Sequence, residues 1–341
     1  MAGSRIPVVV IAGFLGSGKT TLLNHLLRAG RGTRIGVVVN DFGSINVDAM
    51  AVAGQVDSMV SLGNGCLCCV TDTEGLDTVL AQLSRPSAGI DVVVIEASGL
   101  AEPPAMIRML LASENRRIEY GGLVEVVDGA EFERTRERHP ELARHLRIAD
   151  LVVLNKTDRL APEERDRLVA TVRELSGGRP VLPTTHGRVD PALLFDRRTR
   201  PEREPVARQL SLEDLLEEDH DRHAHTAYTS VEFTSDRPLH PRRFMDFLHG
   251  RPAELYRMKG FVHFGVRGHR QKFVLHTVGN YARFQRTRWA EGEPRRTQLV
   301  LIGTDLRAEE LRGALADCVA EDPARVEPLD MLPVLRYTRS R

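Results

Sequence analysis

The chain has 341 residues, and its 47 basic and 47 acidic side chains leave no formal net charge. That length suits two domains with a sizeable core. The even charge excludes a general pull toward nucleic acid or an anionic membrane, and no apolar run approaches the roughly 18 residues of a membrane span. A cytoplasmic protein is expected.

The first element is Pro7-Val8-Val9-Val10-Ile11-Ala12, a β-branched run that reads as a buried strand. It flows into Gly13-Phe14-Leu15-Gly16-Ser17-Gly18-Lys19-Thr20, which fits the phosphate-binding loop G-x-x-x-x-G-K-[ST]. Apolar residues at helical spacing follow from Thr20 to Leu27. Strand, glycine loop and helix thus come in the order the motif needs. Glycines let backbone N–H groups close around a phosphate, and the helix N-terminus adds positive potential there. Lys19 would reach the β- and γ-phosphates, and Thr20 would hold Mg²⁺. Gly13, Gly16, Ser17, Gly18, Lys19, Thr20 and Thr21 are the candidate nucleotide contacts.

A second buried strand over 34–40 ends in Asn40-Asp41-Phe42-Gly43. Asp41 is in position to reach Mg²⁺ or the γ-phosphate, which makes this a candidate nucleotide-sensing switch, although Asn-Asp is also an ordinary turn pair. Next comes Gly63-Asn64-Gly65-Cys66-Leu67-Cys68-Cys69, a C-x-C-C cluster in a glycine-rich loop. Three of the chain's four cysteines lie within four residues, a poor disulfide framework in a reducing cytosol. Three such thiolates suit one borderline ion, Zn²⁺ foremost. A permanent structural site usually closes with four ligands, so three suit transfer better than scaffolding. Simple burial of the cysteines is the bland alternative.

A helix is predicted over 76–83. The strand over 91–96 ends in Glu96, at the position from which a nucleotide-binding acid contacts Mg²⁺ or its water shell, and Gly99 just beyond could offer an N–H to the γ-phosphate. A strand over 123–128 precedes the segment 131–147, whose interspersed charges read as a solvated helical face. Asn155-Lys156-Thr157-Asp158 then closes another buried strand as N-K-x-D. Asp158 can accept from guanine N1 and N2, Asn155 can bond the other base edge, and the Lys156 stem can pack over the ring. A site built this way rejects a base lacking those partners, so GTP is favoured over ATP. A last strand is predicted over 179–185.

Residues 197–225 form a polar linker carrying His220, His223 and His225, which could bind metal weakly or simply be solvated. From 226 to 341 strands and helices mix as a small α+β domain with a mostly antiparallel sheet, and Cys318 falls on its last helix as core. The whole is thus an α/β P-loop domain over 1–196, with a mostly parallel sheet flanked by helices, then linker and α+β domain. Basic residues are nearly all arginine. Only Lys19, Lys156, Lys259 and Lys272 are lysine, and two of these sit in nucleotide motifs where a guanidinium does not substitute.

The runs GFLGSGKTTLLNHLL, NDFG, SLGNGCLCC, IEASGLAEP, NKTD, RMKG and QLVLIG together resemble the CobW-type P-loop GTPases, relatives of the urease and hydrogenase nickel-insertion GTPases. The resemblance covers nearly the whole chain. It implies a slow GTPase acting as a metallochaperone, with zinc the usual cargo and cobalt or iron in some branches. It also implies that Cys66, Cys68 and Cys69 take the metal and that the second domain helps choose the client. Two departures are Asp41, where many members carry Glu, and the short histidine tract. The expected partners are guanine nucleotide and a client metalloprotein, with a homodimer left open and neither nucleic acid nor membrane. The alternative is a GTP-dependent regulatory switch with a permanent structural zinc.

Overall fold

In a computed structural model, the described residues are 5–30, 32–39, 58–61, 73–97, 103–196 and 228–338. Two compact units divide the chain, the second beginning at Tyr228.

The first unit runs β1 (Ile6–Gly13), α1 (Lys19–Ala29), β2 (Ile35–Val39), β3 (Ser58–Ser61), α2 (Thr73–Leu83), β4 (Val92–Glu96), α3 (Pro103–Ala112) and β5 (Ile118–Asp128). It continues through α4 (Phe132–Arg138), α5 (Glu141–Ile148), β6 (Leu151–Asn155), α6 (Pro162–Leu175), β7 (Val181–Pro183) and α7 (Pro191–Leu194). Among the described residues the strands form one parallel sheet in the order β3-β2-β4-β1-β5-β6-β7. Helices cover both faces of such a sheet, so its strands read as unbroken apolar runs. Val8 to Ile11, Val92 to Ile95 and Leu151 to Leu154 are accordingly fully buried.

Chain order reverses around β1, which lies between β4 and β5. Ligands of open parallel sheets bind in the crevice outside the carboxyl ends of strands at such a switch point. The phosphate loop leaves β1 there, and Glu96, Asp128 and Asn155 end the three strands β4, β5 and β6 beside it.

Four elements of the first unit go beyond the sequence reading: β3, α3, α6 and α7. The segment 131–147 is a correction. It is not one solvated face but two helices divided at His139-Pro140, and Phe132, Leu142 and Leu146 are buried. Sparse apolar residues at helical spacing suffice to dock them, despite the density of charge around them. β5 also starts earlier than expected. It carries a bulge: Val8 pairs with Tyr120 but Val9 with Gly122, leaving Gly121 as the extra residue.

The second unit is a five-stranded antiparallel sheet, order β11-β10-β9-β12-β8. Its strands are β8 (Thr229–Ser235), β9 (Leu255–Val262), β10 (Lys272–Val278), β11 (Tyr281–Thr287) and β12 (Thr297–Gly303). Helices α8 (Pro241–His249), α9 (Ala308–Asp317) and α10 (Leu332–Arg336) accompany them. One sheet face meets a core of Phe244, Phe264, Phe273 and Phe284 with surrounding aliphatics. Cys318 ends α9 buried in that core, and burial pushes its thiol up to about 11, so it stays protonated and inert. Lys272 lies 4.1 Å from the Phe261 ring centre and pairs with Glu293, a structural role for one of the four lysines. Lys259 is half-buried on β9.

Candidate nucleotide site

The loop between β1 and α1 is shaped by backbone that other residues cannot adopt. Gly13 has φ +144°, and a Cβ there would lie 2.2 Å from the Val126 carbonyl oxygen. Gly18 has φ +103°, and its Cβ would lie 2.2 Å from Asn155 Nδ2. These contacts press the loop against β5 and the end of β6. On the other side, Gly16 is exposed with open space around it. The loop is thus clamped from beneath and accessible from above, as close approach of a ligand to backbone requires.

Lys19 opens α1 and is 8 % exposed. Its ammonium donates to the Phe14 carbonyl at 3.2 Å, closing the loop on itself. Thr20 Oγ1 donates to Glu96 Oε1 at 2.7 Å, so residues 76 apart in sequence meet. Glu96 is 2 % exposed at the end of β4. An ammonium, a hydroxyl and a carboxylate therefore converge at a helix N-terminus. The hydroxyl and carboxylate are hard oxygen donors of the kind Mg²⁺ prefers, and the buried Ser17 hydroxyl has no hydrogen-bond partner among the described residues. These residues fit Mg²⁺ and a nucleotide's phosphates.

Asn155 ties two loops together. Its Nδ2 donates to the Ser17 carbonyl at 2.9 Å, and its Oδ1 accepts from the Gly187 N–H at 2.9 Å. The amide is 2 % exposed and ties the phosphate loop to the loop after β7. Lys156 has φ +61° and pairs with Asp128 at 2.6 Å. Asp128 in turn accepts from the Ala130 N–H at 3.1 Å. The Thr157 N–H and hydroxyl both bond the Thr184 carbonyl, at 3.1 and 3.0 Å. These ties hold Asp158 in an exposed turn. Thr21 is exposed one residue beyond Thr20.

Sequence reasoning missed Asp128, Thr184 and Gly187 as parts of this site. Asp128 was visible as a polar residue ending an apolar strand. Thr184 and Gly187 act through backbone groups, which leave no side-chain signature. Asp41, Gly99, Cys66, Cys68, Cys69, His220, His223 and His225 lie outside the described residues. Among the described residues no group of three or more His, Cys, Asp or Glu is arranged to hold a metal ion, and no helix is long and apolar enough to cross a membrane.

The geometry defines a P-loop nucleotide-binding protein, and comparison with known proteins narrows the class. Residues 7–183 match the family model described as CobW/HypB/UreG, nucleotide-binding domain, and 228–319 match the cobalamin synthesis protein cobW C-terminal domain. The chain belongs to the CobW/HypB/UreG family of P-loop GTPases. It is 30 % identical to the "Zinc chaperone CobW" of Sinorhizobium sp, over 92 % of this chain and 98 % of that one. It is 28 % identical to the "Zinc chaperone YjiA" of Escherichia coli K12, over 91 % and 98 %. A crystal structure of Zn(II)-bound YjiA GTPase from E. coli aligns over 93 % of this chain with 24 % identity and a TM-score of 0.44.

Proposed function

We propose that this GTPase is a metallochaperone that takes a transition metal, zinc foremost, at Cys66, Cys68 and Cys69 and passes it to a client protein under control of GTP. The observation that carries the reading is the register at the sheet edge. Val39, the last residue of β2, pairs with Glu96 on one side and Ser61 on the other. Asp41 follows Val39 by two residues, and Cys66 follows Ser61 by five. The strands that precede the switch segment and the thiolate segment therefore end at the same edge of the sheet, β2 beside the acid that bonds Thr20 and β3 one strand further out. The names of the relatives, zinc chaperones, agree with this cargo.

In this reading Lys19, the loop N–H groups and the α1 N-terminus hold the phosphates, and Asp158 selects guanine. Thr20, Glu96 and Asp41 would hold Mg²⁺, which neutralises charge on the transferring phosphoryl group. Gly99 would offer its N–H to the γ-phosphate. No glutamine or arginine finger is evident, so unaided turnover is slow. Ordering of the segments after β2 and β4 by GTP changes the thiolate site between them, and by linkage the metal changes nucleotide affinity by the same factor.

The test is a zinc titration of reduced protein with no nucleotide, with GDP, and with a non-hydrolysable GTP analogue plus Mg²⁺. A shift of about tenfold or more between states, about 1.4 kcal/mol of coupling, is expected, together with loss of tight zinc binding in Cys66→Ala. Equal affinity in all three states would leave a GTP switch with a permanent zinc clip. Tighter, nucleotide-coupled binding of Co²⁺ or Fe²⁺ than of Zn²⁺ would reassign the cargo.

A further inference from the structure

Strand β5 carries a carboxyl that the nucleotide chemistry above does not use. Glu125 sits between Ala12 on β1 and Val152 on β6, beneath the phosphate loop. It is 0 % exposed, and neither of its oxygens has a hydrogen-bond partner among the described residues. A charged carboxylate so placed lacks the hydrogen bonds that normally stabilise it. The charge that reaches it is the Lys19 ammonium, from the start of α1. Its strand neighbours Ala12 and Val152 do not titrate. Burial pushes Glu125 up to about 8, and Lys19 opposes that rise.

We propose that Glu125 is a positioning residue for Lys19, a carboxyl that competes with the nucleotide's phosphates for the same ammonium and so sets how tightly the phosphate loop binds. The proposal rests on the reading in which Lys19 meets those phosphates. With Glu125 neutral, Lys19 stays hydrogen-bonded to the Phe14 carbonyl at the loop. Ionised Glu125 draws the ammonium back toward the sheet and adds negative charge beneath the phosphates. Both effects weaken binding, so nucleotide binding takes up a proton at Glu125.

The experiment measures GDP dissociation constants from about pH 6.5 to about pH 9 for the wild type, Glu125→Gln and Glu125→Leu. The wild type is expected to lose about tenfold more affinity across this range than either variant, because only it gains a charge. Ionisation of guanine itself is common to all three and cancels in the ratio. Calorimetry of the wild type at about pH 8, in buffers of different ionisation enthalpy, should show uptake of about half a proton per GDP bound. This second readout needs no variant to fold. Parallel pH profiles in all three proteins, or no proton uptake, would overturn the role of Glu125 while leaving the phosphate-loop reading intact. Failure of the wild type to bind GDP at any pH would overturn both.

Discussion

In the first unit, Ser17, Lys19, Glu96, Glu125 and Asn155 are all buried where strands end or beside those ends. In the second, the main core is built from aliphatic side chains and phenylalanine rings, with centroids 5.2 to 6.4 Å apart for Phe264–Phe273, Phe244–Phe264 and Phe273–Phe284. Edge-to-face rings at this spacing add to the area they bury. A polar group buried without partners does the opposite and costs about 1–3 kcal/mol. The contrast shows that buried polar groups of the first unit gather at the carboxyl ends of its parallel strands, whereas the main core cluster of the antiparallel unit is apolar.

The comparison is tested most strongly through pH. Glu125 has a folded-state pKa of about 8, above the 4.5 of an ordinary glutamate. A carboxyl raised on folding contributes stability fully below the lower value and loses it as pH rises to the higher one. The nucleotide-free wild type should therefore lose roughly 5 kcal/mol relative to Glu125→Leu between those limits, with the difference constant above about pH 8. Denaturant unfolding of both proteins across that range checks this. An equal pH dependence in the variant would place the cost elsewhere.

A loss of about 4 kcal/mol is expected for Phe264→Ala, which opens a cavity in the second unit's ring cluster. The unfolding transition of that unit should show it at every pH. A loss that tracked pH would break the contrast, since no charged group is part of that core cluster. A smaller effect, about 2 kcal/mol, is expected for Asn155→Ala, which leaves the Ser17 carbonyl and Gly187 N–H without their partner. Here the informative measurement is nucleotide selectivity. Because Asn155 ties loops together, GTP and ATP affinities should fall in similar proportion. A loss confined to GTP would support the base-edge role. Asp158→Asn should instead weaken GTP alone.

Much of the site was legible because its signals are local. Gly13 through Thr20 must be contiguous for one loop to wrap a phosphate, and Asn155 through Asp158 must be contiguous to form one turn. Strands β1, β4 and β6 were legible because burial on both faces demands an unbroken apolar run. The contacts between these pieces were not legible. Thr20 meets Glu96, Asn155 meets Ser17 and Gly187, and Lys156 meets Asp128, all across sequence gaps that no spacing rule encodes. The segment 131–147 misled because its charges outnumber the few apolar residues that dock it.

By itself, then, the sequence determined a P-loop, an N-K-x-D turn and a two-part chain of this family, because each depends on neighbours along the backbone. The tertiary structure decided which side chains share a space. The bulge at Gly121 shifts the pairing of β5 with β1 by one residue, and beyond it Glu125 lies opposite Ala12 beneath the loop. Side chains alternate along a strand, so a single extra residue chooses the face on which this carboxyl is buried. Composition and motif carry no trace of that choice, which depends on the strand packed alongside.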